Sequence, residues 1–272
     1  MIKIYSLILI LSVAFSAESS SRDEKNVSTL TLYRVDGSKV IEKKMSYDKF
    51  SAKDSLKIVS PHTPKNPQKL NQHWKGKSVL SLLNENHFPI KNTTPVVFAA
   101  TDKYSVKLDG QRLTNASPII ATERDGKRLE WRDGGPQLVY PLNNPKLSSE
   151  LRSDSWWAWY ITAVFVGDFP PLLNLQCDHK AHALNLSKLP NVTQKNIYPS
   201  YPPGQRLVPP PKGAISVGVL DLKAILAKCG IEKPSSIELE TYLSEKVVLP
   251  TQIDDLEVRF SWEGQIISPN QG

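Results

Sequence analysis

The feature that most constrains the fold of this chain is an internal repeat. Residues 80–91 and 223–234 each read as a short amphipathic helix followed by a turn. Residues 95–108 and 236–250 each read as a strand, a tight polar turn and a second strand. The blocks follow one another in the same order, which indicates two copies of one structural unit.

The spacing of the two copies supports the repeat. Matched points lie 139, 143 and 138 residues apart, namely 50 and 189, 83 and 226, and 125 and 263. The first copy continues through a Gly-Gly-Pro block into a final strand, whereas the second stops at Gly272 before such a block. We therefore expect a full unit at residues 29–168 and an incomplete unit of the same type at 172–272.

The composition favours a β-rich α+β protein. Apolar residues make up 40% of the chain and aromatic residues 8%, which is enough to build hydrophobic cores. The 21 prolines outnumber the 13 glycines, and this balance suits strands and ordered loops better than a helical bundle. The predicted helices are short and lie between strands.

The N-terminal residues predict a secretory signal peptide. Lys3 precedes an apolar run at 4–15, and the small residues Ser16 and Ala17 precede a polar stretch. The run is shorter than the roughly 20 apolar residues that a membrane-spanning helix needs. We expect residues 1–17 to be removed, which leaves a periplasmic or secreted protein without a membrane insertion.

The positive charge of the chain does not predict nucleic-acid binding. The formal charge is +7 and the isoelectric point is near 9.2, but the 34 lysines and arginines are dispersed along the chain. No basic stripe alternates with aromatic residues, as nucleic-acid-binding surfaces require. The charge is better suited to attracting a small anionic molecule.

Four motifs of the first unit carry a family resemblance. They lie at residues 74–83, 98–106, 125–129 and 134–141. In this order they resemble the molybdopterin-binding domain of sulfite-oxidase-type oxidoreductases. The residues at 157–161 resemble a small periplasmic branch of that fold, some of whose members bind free pterins and act as regulators. The resemblance implies a β-rich sulfite-oxidase-like fold in tandem units, the second truncated.

The same region has the chemistry of a pocket for a flat polar heterocycle. A Gly-Gly-Pro turn lets the backbone approach a ligand, and neighbouring charged side chains can bond its polar edge. Aromatic side chains can stack on its faces, although they could instead fill the core, and the aspartates could instead cap turns. The predicted site residues are Asp102, Tyr104, Arg132, Asp133, Gly134, Gly135, Trp157 and Trp159.

Two departures from the family weaken a catalytic interpretation. The family's enzymes bind molybdenum through a cysteine thiolate, but residues 58–64 and 198–203 contain none. His62 is the side chain closest to the expected cysteine position that could serve as a substitute metal ligand. Separately, Gln137 stands where the family often has an arginine after the Gly-Gly-Pro turn. We expect a pterin or molybdopterin ligand without a metal, in a non-catalytic binding or regulatory module. The alternative is a periplasmic molybdopterin-dependent oxidoreductase.

The two cysteines leave their own alternatives open. Cys177 and Cys229 could form a disulfide in an oxidising compartment, or remain as two buried thiols. Cys177, His179 and His182 are donor types that suit zinc or copper, but no fourth ligand accompanies them, so a closed zinc site is not expected. A protein partner in the periplasm is compatible with a regulatory role.

Overall fold

The computed structural model describes a large part of the chain, in segments. These are residues 2–6, 29–36, 39–50, 55–60, 72–101, 104–130, 133–167, 172–177, 180–185, 189–197, 207–208, 214–230, 237–240, 246–249 and 257–260. The chain divides into two compact units. Glu18–Gly167 is called the first unit here, and Asp168–Gly272 together with Met1–Ala17 is called the second unit.

Among the described residues of each unit strands outnumber helices, so the α+β class predicted from the sequence is confirmed at this coarse level. The strands are β1 (Ile2–Ser6), β2 (Thr29–Asp36), β3 (Lys39–Ser46), β4 (Ser55–Ser60), β5 (Gln72–Ser78), β6 (Pro95–Ala100), β7 (Ser105–Asp109), β8 (Ile119–Arg124), β9 (Lys127–Arg128), β10 (Gln137–Val139), β11 (Ile161–Val166), β12 (Leu172–Cys177), β13 (Lys180–Asn185), β14 (Thr193–Ile197), β15 (Leu207–Val208), β16 (Ile215–Asp221), β17 (Ile237–Glu240), β18 (Lys246–Leu249) and β19 (Glu257–Phe260). The α-helices are α1 (Val79–Glu85), α2 (Gly110–Ala116) and α3 (Leu222–Leu226).

The described residues of the first unit form two sheets. In one, neighbouring strands follow the order β7-β6-β11-β2-β3, with β11 parallel to β2 and antiparallel to β6. In the other, the order is β10-β8-β5-β4, all antiparallel, and β9 pairs with β8. Strands β6 and β11 are almost continuously apolar and buried along their length, the pattern expected of central strands covered on both faces.

Helix α1 illustrates how the sequence sets a local element of the first unit. Ser78 caps the N-terminus by accepting a hydrogen bond from the Ser81 amide. Val79, Leu82 and Leu83 are buried, which is the i, i+3, i+4 spacing of one helical face. The core of the first unit contains apolar side chains that are fully buried, including Leu30, Leu32, Trp74, Phe98, Val106, Leu108, Leu113, Ile119, Ile120, Leu138 and Val164.

The sheets of the second unit have the same strand order as those of the first. One runs β13-β12-β1-β17-β18, and the other runs β14-β16-β19. These match β3-β2-β11-β6-β7 and β4-β5-β8 position by position, and α3 follows β16 as α1 follows β5. The central position is the exception in chain order, because β1 occupies it in the second unit and β11 in the first.

Strand β1 lies within residues 1–17, where the sequence predicts a signal peptide. It pairs antiparallel with β12 and parallel with β17. The remainder of that segment lies outside the described residues, and the signal peptide stays a prediction. Among the residues described, no helix is long and apolar enough to cross a membrane.

Candidate functional site

The Gly-Gly-Pro turn of the first unit is held beside the chain that leads into β11. The Tyr160 amide donates to the Gly134 carbonyl over 2.9 Å, and the Ile161 amide donates to the Pro136 carbonyl over 3.0 Å. Directly after the turn, the Leu138 amide donates to the Ala158 carbonyl over 2.8 Å. Two separate stretches with predicted site residues, 133–136 and 157–161, are therefore brought together.

The two glycines of this turn adopt conformations that other residues rarely take. Gly134 has φ +95° and Gly135 has φ +57°. A Cβ atom on Gly134 would lie 2.5 Å from Gln137 Nε2 and 3.1 Å from the indole of Trp159. The partly exposed Trp159 ring therefore packs directly against the backbone of the turn.

Gln137 is fully buried next to the turn and has one unused polar atom. Its Nε2 donates to the Asp133 carbonyl over 2.6 Å, which fixes the orientation of the amide. Its Oε1 has no hydrogen-bond partner among the described residues. Buried polar atoms in proteins almost always have a hydrogen-bond partner, so this oxygen could accept a hydrogen bond from a ligand.

Asp133 is paired with a residue that the sequence analysis did not single out. Arg124 Nη2 lies 3.0 Å from Asp133 Oδ1, and the Arg124 guanidinium lies 5.6 Å from the centre of the Trp74 ring. Trp74 is the register partner of Arg124 on the neighbouring strand. The carboxylate of Asp133 thus has its charge balanced by an arginine that is itself held over an aromatic face.

Tyr104 is half-buried, and its hydroxyl already donates a hydrogen bond within the protein. It donates to the Ser155 carbonyl, and the Tyr104 carbonyl accepts from the Ala100 amide over 2.9 Å. Tyr140 lies close enough for Tyr104 to affect it. Burial, with a smaller contribution from Tyr104, raises the pKa of Tyr140 well above its ordinary value.

Trp157 is a core residue. It is 4% exposed and makes an edge contact with Trp74 at 6.4 Å and a tilted contact with Tyr140 at 6.2 Å, measured between ring centres. This arrangement matches the core-filling alternative that the sequence left open for the tryptophans. Its indole Nε1 has no hydrogen-bond partner in the described part of the chain.

Thr101 is a further polar residue beside the turn that sequence reasoning missed. Its amide donates to the Tyr160 carbonyl over 3.2 Å, while its buried hydroxyl has no partner among the residues described. It lies within the motif at 98–106, but a threonine at the end of an apolar strand is commonplace, so its residue type did not single it out. The predicted site residues Asp102 and Arg132, and also His62, lie outside the described residues.

The cysteine alternatives are decided by the structure. Cys229 is disulfide-bonded, and Cys177 is the only other cysteine in the sequence. Neither cysteine belongs to the first unit. A sulfur in a disulfide is not a thiolate, so the Cys177, His179 and His182 motif loses its strongest metal donor.

No protein-family model matches this chain, and no curated protein matches it either. Its function is therefore inferred from the site's own residues.

Proposed function

We propose that the chain is an exported protein of the sulfite-oxidase-like molybdopterin-binding fold that binds a pterin-type heterocycle at the Gly-Gly turn of the first unit. In this proposal it acts as a non-catalytic binding or regulatory module in the periplasm or outside the cell. The observation that carries the proposal is the buried amide of Gln137, whose Nε2 lies beside Gly134 and whose Oε1 has no hydrogen-bond partner among the described residues.

The chemistry of a pterin suits these groups. Its aminopyrimidine edge offers N–H donors, and a buried amide oxygen without a partner gains a hydrogen bond when such a donor reaches it. The flat ring can stack on the partly exposed indole of Trp159, as aromatic rings do in offset geometry.

The cysteine content supports binding rather than molybdenum chemistry. In the resembling enzymes a thiolate holds the metal, and the first unit contains no cysteine. The residues present fit the organic part of the cofactor, through one acceptor and one aromatic wall, better than its metal centre. A phosphate-bearing ligand would also have to do without Arg124, which is paired with Asp133.

Titration calorimetry with oxidised and reduced pterins tests the proposal. We expect binding by the wild-type chain and roughly fivefold weaker binding by Trp159→Leu, since loss of an aromatic contact costs about 1 kcal/mol. Trp159→Phe should retain most of the affinity because it keeps a stacking face. A change at exposed Lys127 (Lys127→Ala) serves as the control.

Absence of binding by the wild-type chain would overturn the proposal. Metal analysis of protein from a host that makes molybdopterin gives a separate readout. Stoichiometric molybdenum in the purified chain would favour the oxidoreductase alternative instead.

A further inference from the structure

The central strand of one sheet of the second unit comes from a distant part of the chain. Strand β1 lies between β12 and β17, in register with five residues of β12 and four of β17. The other strands of this sheet come from residues 172–249. The position between β12 and β17 is called the acceptor position here.

The first unit fills the equivalent position in the opposite direction. There β11 runs parallel to β2 and antiparallel to β6. In the second unit β1 runs antiparallel to β12, the counterpart of β2, and parallel to β17, the counterpart of β6. The same strand order therefore tolerates either direction at its centre, and the two units use different ones.

The acceptor position has a defined chemistry along its register. Ile2 lies opposite Cys177 and Ile237, and Ile4 lies opposite Leu175 and Leu239. Between them, Lys3 lies opposite Gln176 and Glu238. Along this register, positions opposite apolar residues alternate with a position opposite Glu238, so the matching occupant has apolar residues on either side of a basic one.

Strand β1 can leave without dismantling its neighbours. β12 pairs with β13, and β17 pairs with β18, each through its own antiparallel hairpin register. Withdrawal would leave backbone N–H and C=O groups unpaired along both β12 and β17. Such paired open edges bind extended peptides strongly, because each added residue restores ladder hydrogen bonds on two sides.

We propose that the acceptor position is a strand-binding site for an extended segment of a partner protein. The partner segment replaces β1 and runs in the direction of β11, parallel to β12 and antiparallel to β17. It carries alternating apolar residues with a basic residue among them. Removal of residues 1–17, which the sequence predicts, withdraws β1 and opens the site.

Two synthetic peptides and the full chain test this site. One peptide has the residues of β1 in their own order, Ile-Lys-Ile-Tyr-Ser, and the other has them reversed, Ser-Tyr-Ile-Lys-Ile; each carries a fluorophore. Ile4→Pro in the full chain removes a backbone donor from β1 and weakens its hold on the position. We expect the reversed peptide to bind Ile4→Pro at least roughly tenfold more tightly than wild type, and more tightly than the forward peptide.

A second measurement keeps the test decisive if Ile4→Pro fails to fold. In the wild-type chain, excess reversed peptide should speed hydrogen exchange at the amides of Ile2–Ser6 while those of β12 and β17 stay protected. Lys127→Pro in β9 is the matched control and should leave peptide affinity unchanged. Three results would overturn the proposal. They are equal affinity of the reversed peptide for Ile4→Pro and Lys127→Pro, tighter binding of the forward peptide than of the reversed one, and unchanged hydrogen exchange of the β1 amides. Pterin titration is independent of all these outcomes.

Discussion

At the scale of single residues, Gly134 depends on glycine for two separable reasons. Its φ of +95° disfavours any side chain, and a Cβ would also collide with Gln137 Nε2 at 2.5 Å. Gly126 shares the first condition, with φ +77°, but has nothing within 4 Å of a Cβ. Gly126→Ala should therefore cost about 1 kcal/mol of unfolding free energy, and Gly134→Ala about 2–3 kcal/mol. Urea unfolding of the two variants measures the difference; equal losses would show that the close contact carries no energy.

Tyr47 provides a pH-dependent contribution to stability. It is 5% exposed, and its hydroxyl donates to the Ile161 carbonyl over 2.6 Å. Burial raises its pKa well above the ordinary value, so the folded state keeps a proton that the unfolded state loses above about pH 10. Unfolding then releases a proton, and the unfolding free energy falls by about 1.4 kcal/mol per pH unit in that range.

Tyr47→Phe tests this linkage. At pH 8 the variant should be about 1 kcal/mol less stable than wild type, because the Ile161 carbonyl loses its donor. At pH 11.5 the difference should disappear or reverse, since wild type has lost about 2 kcal/mol that the variant keeps. Denaturant titrations at the two pH values measure both gaps. A gap that stays constant would mean that Tyr47 ionises in the folded state.

The sequence identified part of the site at this scale, and physical reasons separate that part from the rest. A Gly-Gly pair indicates a turn with positive φ, so the turn at Gly134 and Gly135 could be predicted from the sequence. Arg124 was not, because its pairing with Asp133 depends on how β8 approaches the turn. Gln137 stood out only as a departure from a family pattern, and its unused oxygen depends on tertiary burial.

At the scale of elements, the helix caps offer a matched comparison. Asp109 caps α2 by accepting from the Arg112 amide over 2.7 Å, whereas Asp221 at the start of α3 makes no such side-chain bond. Asp109→Ala should cost about 1 kcal/mol of unfolding free energy. Asp221→Ala should cost much less, because no cap bond is lost. Thermal unfolding followed by circular dichroism measures both; equal losses would indicate that helix-dipole charge, common to both aspartates, dominates.

Element types were easier to predict than their partners. Helix α1 and helix α3 begin at Val79 and Leu222, 143 residues apart, which is the spacing of the sequence repeat at that point. Periodicity and turns are local signals, so they locate such elements. Strand order is not local: β11 lies between β2 and β6 although it follows both by many residues, and no pattern in its own sequence specifies that place.

At the scale of the whole molecule, the disulfide distinguishes the two units. Cys177 and Cys229, the only cysteines, both belong to the second unit. In the chain-entropy account, a cross-link stabilises mainly by restricting the unfolded state, and the closed loop here runs from 177 to 229. A loop of this length corresponds to about 4 kcal/mol. The second unit should thus depend on an oxidising compartment, while the first should not.

Calorimetry with and without reductant tests this asymmetry. Reduction, or Cys229→Ser, should lower the midpoint of one unfolding transition by removing the cross-link, and leave the other transition in place. Hydrogen exchange assigns the affected transition: amides of β12 and β16 should lose protection, whereas those of β6 and β11 keep theirs. Cys177→Ser should reproduce the effect of Cys229→Ser, and the double variant should add nothing further, because both single changes break the same bond. Additive losses would contradict a single shared disulfide, and a shift of both transitions would show that the two units unfold cooperatively.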